Sequence, residues 1–243
     1  MSDRANRRLM IFLSRIYDIA YPVLRAVRGN HLLIRWLFGV QIPSGLSTQF
    51  DPTTLGLKRL LCQIATPEDR TSLEIGIGQG ALISLSLALH CRLKITGVDC
   101  PKELVNQSQT VARVNGIDAD FFESNLFDAV PRDRRFDLIF FNPPYVPTAI
   151  GLRLRLGKRF SPDGDQAWDG GSDGTQVLSR FLNQAKDFLT PRGRIVFGVQ
   201  SLFVPESLVQ SRVRDSGLFV EQRTVWKIPP SVCYVVSRHN RQH

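Results

Sequence analysis

From residue 71 onward, short and strongly apolar runs alternate with longer amphipathic stretches, and this alternation constrains the fold more than any other feature. TSLEIGIG (71–78) predicts a strand ending in a glycine turn, Ala81–His90 a helix, LKITGVD (93–99) a strand and Lys102–Asn115 a helix. A short strand is expected at Ala119–Glu123 and a very apolar one at FDLIFFN (136–142). A helix over Gly174–Leu189, a strand RIVFGVQ (194–200) and a helix over Pro205–Ser216 follow. LFVEQRTV (218–225) and SVCYVVS (231–237) predict two closing strands joined through Ile228-Pro229-Pro230. Strands that are apolar on both faces and separated by helices belong in a parallel sheet covered on both sides. The last two are joined too tightly for a crossover and should pair antiparallel. The expected fold is a doubly wound, mostly parallel seven-stranded α/β sheet with a C-terminal antiparallel hairpin.

The first 48 residues read differently, as a basic helical extension preceding a main domain over 49–243. Residues 1–60 hold nine Lys/Arg against three acids, which is six of the nine net positive charges of the 243-residue chain. Apolar residues recur at helical spacing (Leu9, Phe12, Leu13, Ile16, then Ile19, Ala20, Val23, Leu24, Val27), with breaks near Pro22 and Gly29-Asn30 and a further helix over His31–Phe38. Such a stripe packs on the main domain, docks a substrate or lies on a membrane surface. The apolar run Leu9–Leu13 is shorter than the roughly 7–15 residues of a secretory signal core. No stretch of 18 apolar residues predicts a membrane span.

Composition narrows the chemistry. With 43% hydrophobic and 22% charged residues the chain is that of a packed globular protein. Four cysteines without a CxxC pair, and no His/Cys cluster at ligand spacing, predict neither a disulfide framework nor a metal site, and point to a reducing, cytoplasmic setting. The +9 charge favours partners rich in phosphate or carboxylate.

Two constellations carry the function. In LEIGIGQG, Gly76, Gly78 and Gly80 follow a strand and precede a helix, where ligands bind beyond the carboxyl ends of such strands. The spacing is GxGxG, unlike the GxGxxG of dinucleotide binders. Glu74 sits on a strand buried on both faces, so it must be hydrogen-bonded, either near a ligand or to nearby backbone. Asp99 ends the next strand, where an acid accepts from ribose hydroxyls or caps the following helix. The loop lacks a phosphate-gripping lysine, which favours a nucleoside cofactor without a polyphosphate. The second constellation is Asn142-Pro143-Pro144-Tyr145 at the tip of the fourth long strand. Two prolines make the chain leave rigidly. The Asn142 side chain and the Pro143 carbonyl can then both accept from one NH2 group, and Tyr145 offers a face for stacking on a planar group.

LEIGIGQG, Asp99 and NPPY together resemble class I S-adenosylmethionine-dependent methyltransferases, in the branch that methylates amino or amide nitrogens on planar groups. AWDGGSDGTQVLSRFL (167–182) with LTPRG (189–193) resembles the HemK-type release-factor glutamine methyltransferases. FDPTTLGLKRLL (50–61) is similar to that family's proline-containing segment before its first helix. The resemblance covers residues 50–240 and implies a Rossmann-like methyltransferase fold. It implies that Glu74, Gly76, Gly78 and Gly80 line the methionine and ribose part of the cofactor and that Asp99 binds the ribose. Asn125 stands where the family usually has an adenine-contacting aspartate. Pro52 and Thr53 are implied as lid residues, and Asn142, Pro143 and Tyr145 as the catalytic group, with Asn142 also at the cofactor. The implied reaction is methyl transfer to a glutamine side chain of a protein such as a release factor. Adenine N6 of RNA or DNA is the alternative, since NPPY is shared with adenine methyltransferases. The segment Gly151–Asp165 departs from the family pattern in being basic at Arg153, Arg155, Lys158 and Arg159.

Overall fold

A computed structural model describes residues 23–158, 167–226 and 231–239. Seven strands form one sheet in the order β3-β2-β1-β4-β5-β7-β6. They are β1 (Thr71–Ile75), β2 (Lys94–Asp99), β3 (Ala119–Glu123), β4 (Phe136–Phe141), β5 (Leu189–Gln200), β6 (Phe219–Trp226) and β7 (Ser231–Ser237). The first five pair in parallel, and β7 pairs antiparallel to both β5 and β6. The strand order reverses between β1 and β4, which opens the crevice at their carboxyl ends where ligands bind in such sheets.

Alternation along β4 shows why the sheet is covered on both faces. Ile139 and Phe141 enter one core with Leu73, Ile75, Phe181 and Phe188, whereas Leu138 and Phe140 enter the other with Leu57, Leu60 and Leu85. The first core is roofed by α6 (Gln176–Ala185) and α7 (Glu206–Asp215), and Phe127 stacks there on Phe181 and Phe188 at centroid distances of 5.9 and 4.8 Å. The second is roofed by α1 (His31–Phe38), α2 (Pro52–Ile64), α3 (Leu82–Cys91) and α4 (Lys102–Val114). A short helix α5 (Thr148–Arg153) follows the NPPY segment.

Helix α1 has the bounds that the periodicity predicts. The Asn30 side chain accepts from Leu33 N at 2.9 Å to cap its start, and Gly39 at φ 76° ends it. Ile34 and Phe38 are fully buried, with the Phe38 ring 5.4 Å from that of Phe50, so the helix is part of the second core. Residues 23–28 are also helical. The expected helix before them, the break at Pro22 and, of the segment read as basic, Arg159 and the residues up to 165 lie outside the described residues.

Three boundaries differ from expectation. The segment 50–61 does not precede a helix but enters one at Pro52, because Asp51 caps α2 and proline at the first helical position needs no N–H partner. Strand β1, by contrast, ends at Ile75 in the predicted glycine turn, with Gly76 at φ 67°. The helix expected over Gly174–Leu189 ends at Ala185 and tightens into a single turn at Lys186–Phe188. LTPRG then begins β5 rather than a loop, with a register shift opposite Phe136/Leu138 absorbing the irregularity.

Candidate functional site

At the carboxyl ends of β1, β2 and β4 lies a cavity of about 730 Å³. One wall is the glycine turn. Gly76 N and Ile77 N both donate to Val98 O (2.8 and 3.2 Å), which ties the turn to β2. Gly78, at φ 58°, has open space where a Cβ would stand, so the backbone is bare toward the cavity. From below, Ser108 Oγ of α4 accepts from Gly80 N and donates to Gly78 O, each at 3.2 Å. The turn is thus held in place by the protein itself.

The two acids occupy opposite ends of this wall. Helix α3 begins at Ala81, which has no side chain to cap it. Glu74 takes that role from the neighbouring strand, its Oε2 accepting from Ser84 N at 3.1 Å in the first turn, where a carboxylate also meets the positive end of the helix dipole. Burial nonetheless dominates: Glu74 is 4% exposed, and its carboxyl is pushed up to about 8 by desolvation, against the Ser84 bonds that lower it. Asp99 ends β2 with Oδ2 accepting from Gly78 N and Oδ1 from Cys100 N, both at 2.8 Å. Desolvation raises its carboxyl above the usual range, while those two bonds oppose the rise.

The other wall is built from α2 and the end of β4. The Asn142 Nδ2 donates to Asp51 Oδ2 (3.2 Å) and Thr54 Oγ1 (3.3 Å), and its Oδ1 is buried without a partner. Asp51 Oδ1 accepts from Thr54 N (2.6 Å) and Thr54 Oγ1 (2.9 Å), so one carboxylate both caps α2 and meets Asn142. Beyond NPPY, the loop of AWDGGSDG zips onto the exiting chain. Val146 and Asp169 bridge, Val146 N donates to Trp168 O, and Asp169 Oδ1 accepts from Thr148 Oγ1 and Gly171 N. Gly174 packs so closely that a Cβ would lie 2.5 Å from Tyr145 O.

Of the expected site residues, the structure brings Glu74, Gly76, Gly78, Asp99, Asn125 and Asn142 to the cavity. Four are elsewhere. Thr53 is fully buried on the opposite side of α2, its Oγ1 3.0 Å from Ser231 Oγ and its methyl over Gly198, while Thr54 lines the cavity in its place. Gly80 lies behind the turn, bonded to Ser108. The Tyr145 ring stacks against Phe203 at 6.2 Å rather than lining the cavity, and Pro143 is buried beside it, with Pro144 at the wall. Among the residues that sequence reasoning passed over, Thr54, Asp169 and Arg180 line the cavity and Asp51 brackets it. Asp51 had a signal, since Asp-Pro-Thr-Thr before an apolar run is a helix start.

A bare glycine turn, an acid at each end and room for a nucleoside with an amino-acid tail fit S-adenosylmethionine. Among the described residues no group of three His, Cys, Asp or Glu side chains is arranged to hold a metal, and no helix is long and apolar enough to cross a membrane. Residues 48–162 match the methyltransferase small domain family. The chain is 34% identical over 170 residues to a putative protein N5-glutamine methyltransferase of Methanocaldococcus jannaschii, covering 70% of this chain and 81% of that one. It is 35% identical over 179 residues to the release factor glutamine methyltransferase of Geobacter sulfurreducens, covering 70% of this chain but only 61% of the relative. A solved methyltransferase from Pyrococcus furiosus shares the fold with a TM-score of 0.61 at 19% identity, over 97% of this chain and all of the other. The chain is a methyltransferase whose cofactor is S-adenosylmethionine, and it belongs to the family that includes the protein N5-glutamine methyltransferases.

Proposed function

We propose that this enzyme methylates the side-chain amide nitrogen of a glutamine in a protein, with a translation release factor as the acceptor, in the cytoplasm. The observation that carries this reading is the buried, unpartnered Oδ1 of Asn142 beside the cavity. A lone buried acceptor costs about 1–3 kcal/mol unless a donor arrives, and an NH2 group is the donor that NPPY is built to receive. The names of the relatives from Methanocaldococcus jannaschii and Geobacter sulfurreducens support glutamine as the bearer of that group.

Glu74, Gly76, Gly78, Asp99 and Asn125 would hold the cofactor, whose bound sulfonium supplies an electrophilic methyl. Asn142 Oδ1 and the Pro143 carbonyl accept the two N–H bonds of the acceptor amide. They fix its direction and stabilise the positive charge that builds on nitrogen as the new N–C bond forms and the S–C bond breaks. One proton then leaves the nitrogen for water. Tyr145, packed on Phe203, braces the loop that aims the Pro143 carbonyl. The test is incubation of the enzyme with methyl-labelled S-adenosylmethionine and a purified release factor. Label that survives nuclease, is lost on protease treatment and maps by mass spectrometry to a glutamine supports the reading. Label found only as methyladenine after incubation with total RNA or DNA overturns it.

A further inference from the structure

A carboxamide is almost symmetric in shape, so packing alone does not decide which of its two ends faces the substrate. At Asn142 the neighbours decide it. Asp51 Oδ2 is a carboxylate oxygen with no hydrogen to give. Thr54 Oγ1 directs its own hydrogen to Asp51 Oδ1 at 2.9 Å, which leaves only lone pairs facing Asn142. Both partners are therefore acceptors, and both draw Nδ2, at 3.2 and 3.3 Å. A flipped amide would set Oδ1 against a carboxylate and a hydroxyl lone pair, and would leave Nδ2 with no acceptor. The same Asp51 caps α2 through Thr54 N, so the bracket is rooted in a helix end rather than in a mobile loop.

We propose that Asp51 and Thr54 are positioning residues that hold the Asn142 amide with its oxygen as the free end, so that the site receives an NH2 group and rejects a carbonyl or carboxylate oxygen offered in its place. This rests on the reading of Asn142 as the group that meets the acceptor nitrogen. It goes further in assigning discrimination between glutamine and glutamate, and between the two ends of a glutamine amide, to the start of α2. A glutamate carboxylate, or an amide entering oxygen first, meets an oxygen fixed in place and finds no donor.

Asp51→Asn is the informative variant. Asparagine caps a helix as well as aspartate, so α2 retains its start, but the new amide can turn N–H groups toward Asn142 and favours the flipped state. The first measurement needs no acceptor. The side-chain NH2 signals of Asn142, assigned by their loss in Asn142→Asp, are recorded by NMR on the full chain with S-adenosylhomocysteine. In the wild type they should exchange with water at least about tenfold more slowly than those of an exposed carboxamide, because both hydrogens are engaged. In Asp51→Asn they should shift and lose that protection. The second measurement uses a purified release factor as the probe. Asp51→Asn and Thr54→Val should each lower kcat roughly 10- to 100-fold while the KM for S-adenosylmethionine changes less than about twofold, and Thr54→Ser should recover most of the loss seen in Thr54→Val. Unchanged Asn142 signals in Asp51→Asn, or an unchanged kcat in both Asp51→Asn and Thr54→Val, overturns the proposal. A wild-type enzyme that leaves the release factor unmethylated defeats the functional reading instead, and the NMR measurement still decides the role of Asp51.

Discussion

Replacing Glu74 by glutamine should remove a specific pH dependence from the stability of the ligand-free enzyme. Burial raises the Glu74 carboxyl from 4.5 to about 8. Between those values the folded protein keeps a proton that the unfolded chain releases. Folding is therefore opposed progressively as pH rises through this window, at up to about 1.4 kcal/mol per pH unit, and the opposition levels off above pH 8. The full span is worth about 5 kcal/mol, of which about 4 kcal/mol falls between pH 5 and 8. Glutamine can still accept from Ser84 N through its carbonyl oxygen but cannot ionise, so the variant lacks this slope. Urea denaturation of both proteins at pH 5, 6, 7 and 8 isolates the group, because all other titrations are shared and cancel in the difference. The gap should widen in favour of Glu74→Gln by several kcal/mol as pH rises, and parallel curves would refute the reasoning. A cationic cofactor reverses the balance by favouring the carboxylate. The wild type should thus release a proton on binding S-adenosylmethionine at pH 7, seen as a calorimetric enthalpy that depends on the buffer, and Glu74→Gln should not.

Three further outcomes follow from the geometry. Asp99→Asn puts an N–H where Gly78 N or Cys100 N already donates. It should weaken S-adenosylmethionine roughly 10- to 100-fold by calorimetry, the size of one lost hydrogen bond to a charged group. Asn142→Ala should lower kcat at least about 10²-fold while cofactor affinity stays within about threefold, as expected for a group aimed at the acceptor; near-normal turnover would rule out its assigned role. Gly151→Ala places a Cβ 1.7 Å from Trp168 Cζ3. Overpacking of that kind costs about 1–3 kcal/mol and should lower Tm by several degrees in a scanning melt, since each kcal/mol is worth about 2–4 °C at this chain length.

Most of the sheet was legible in the sequence because its strands are apolar on both faces, and a run such as FDLIFFN has no other home. The cavity wall with the glycine turn was legible for the same reason: a carboxylate at Glu74 inside such a run needs a partner, and the glycines mark where the strand must turn. What escaped is phase and punctuation. Helical residues one apart differ by 100° in direction, and nothing in Thr53-Thr54 says which threonine faces the cavity. Thr53 turns to β7 and Gly198, and Thr54 turns to Asn142. Pro52 reads as a helix breaker until Asp51 is recognised as a cap, after which it reads as a first residue. TAIGLR, the whole of α5, is too short to show a period. Tyr145 is expected from the sequence to present its ring to the substrate, but it stacks on Phe203, 58 residues further along the chain (203 − 145), and no local pattern links the two.

Strand β7 follows every other strand in the sequence, yet it lies between β5 and β6 with all seven of its residues buried. Its Ser231 meets Thr53, and its Cys233 lies against Gly56, so α2 is seated partly on β7. The same end of α2 carries Asp51, two residues before Thr53. As the chain emerges from the ribosome, the glycine turn and NPPY are made long before the β7 part of the seat for α2 exists. A nascent chain can form the β1–β4 half of the sheet, but α2 gains its full seat only once Ser231 and Cys233 have left the exit tunnel. Vectorial synthesis thus leaves the seating of the helix end beside Asn142 to be completed with the last strand.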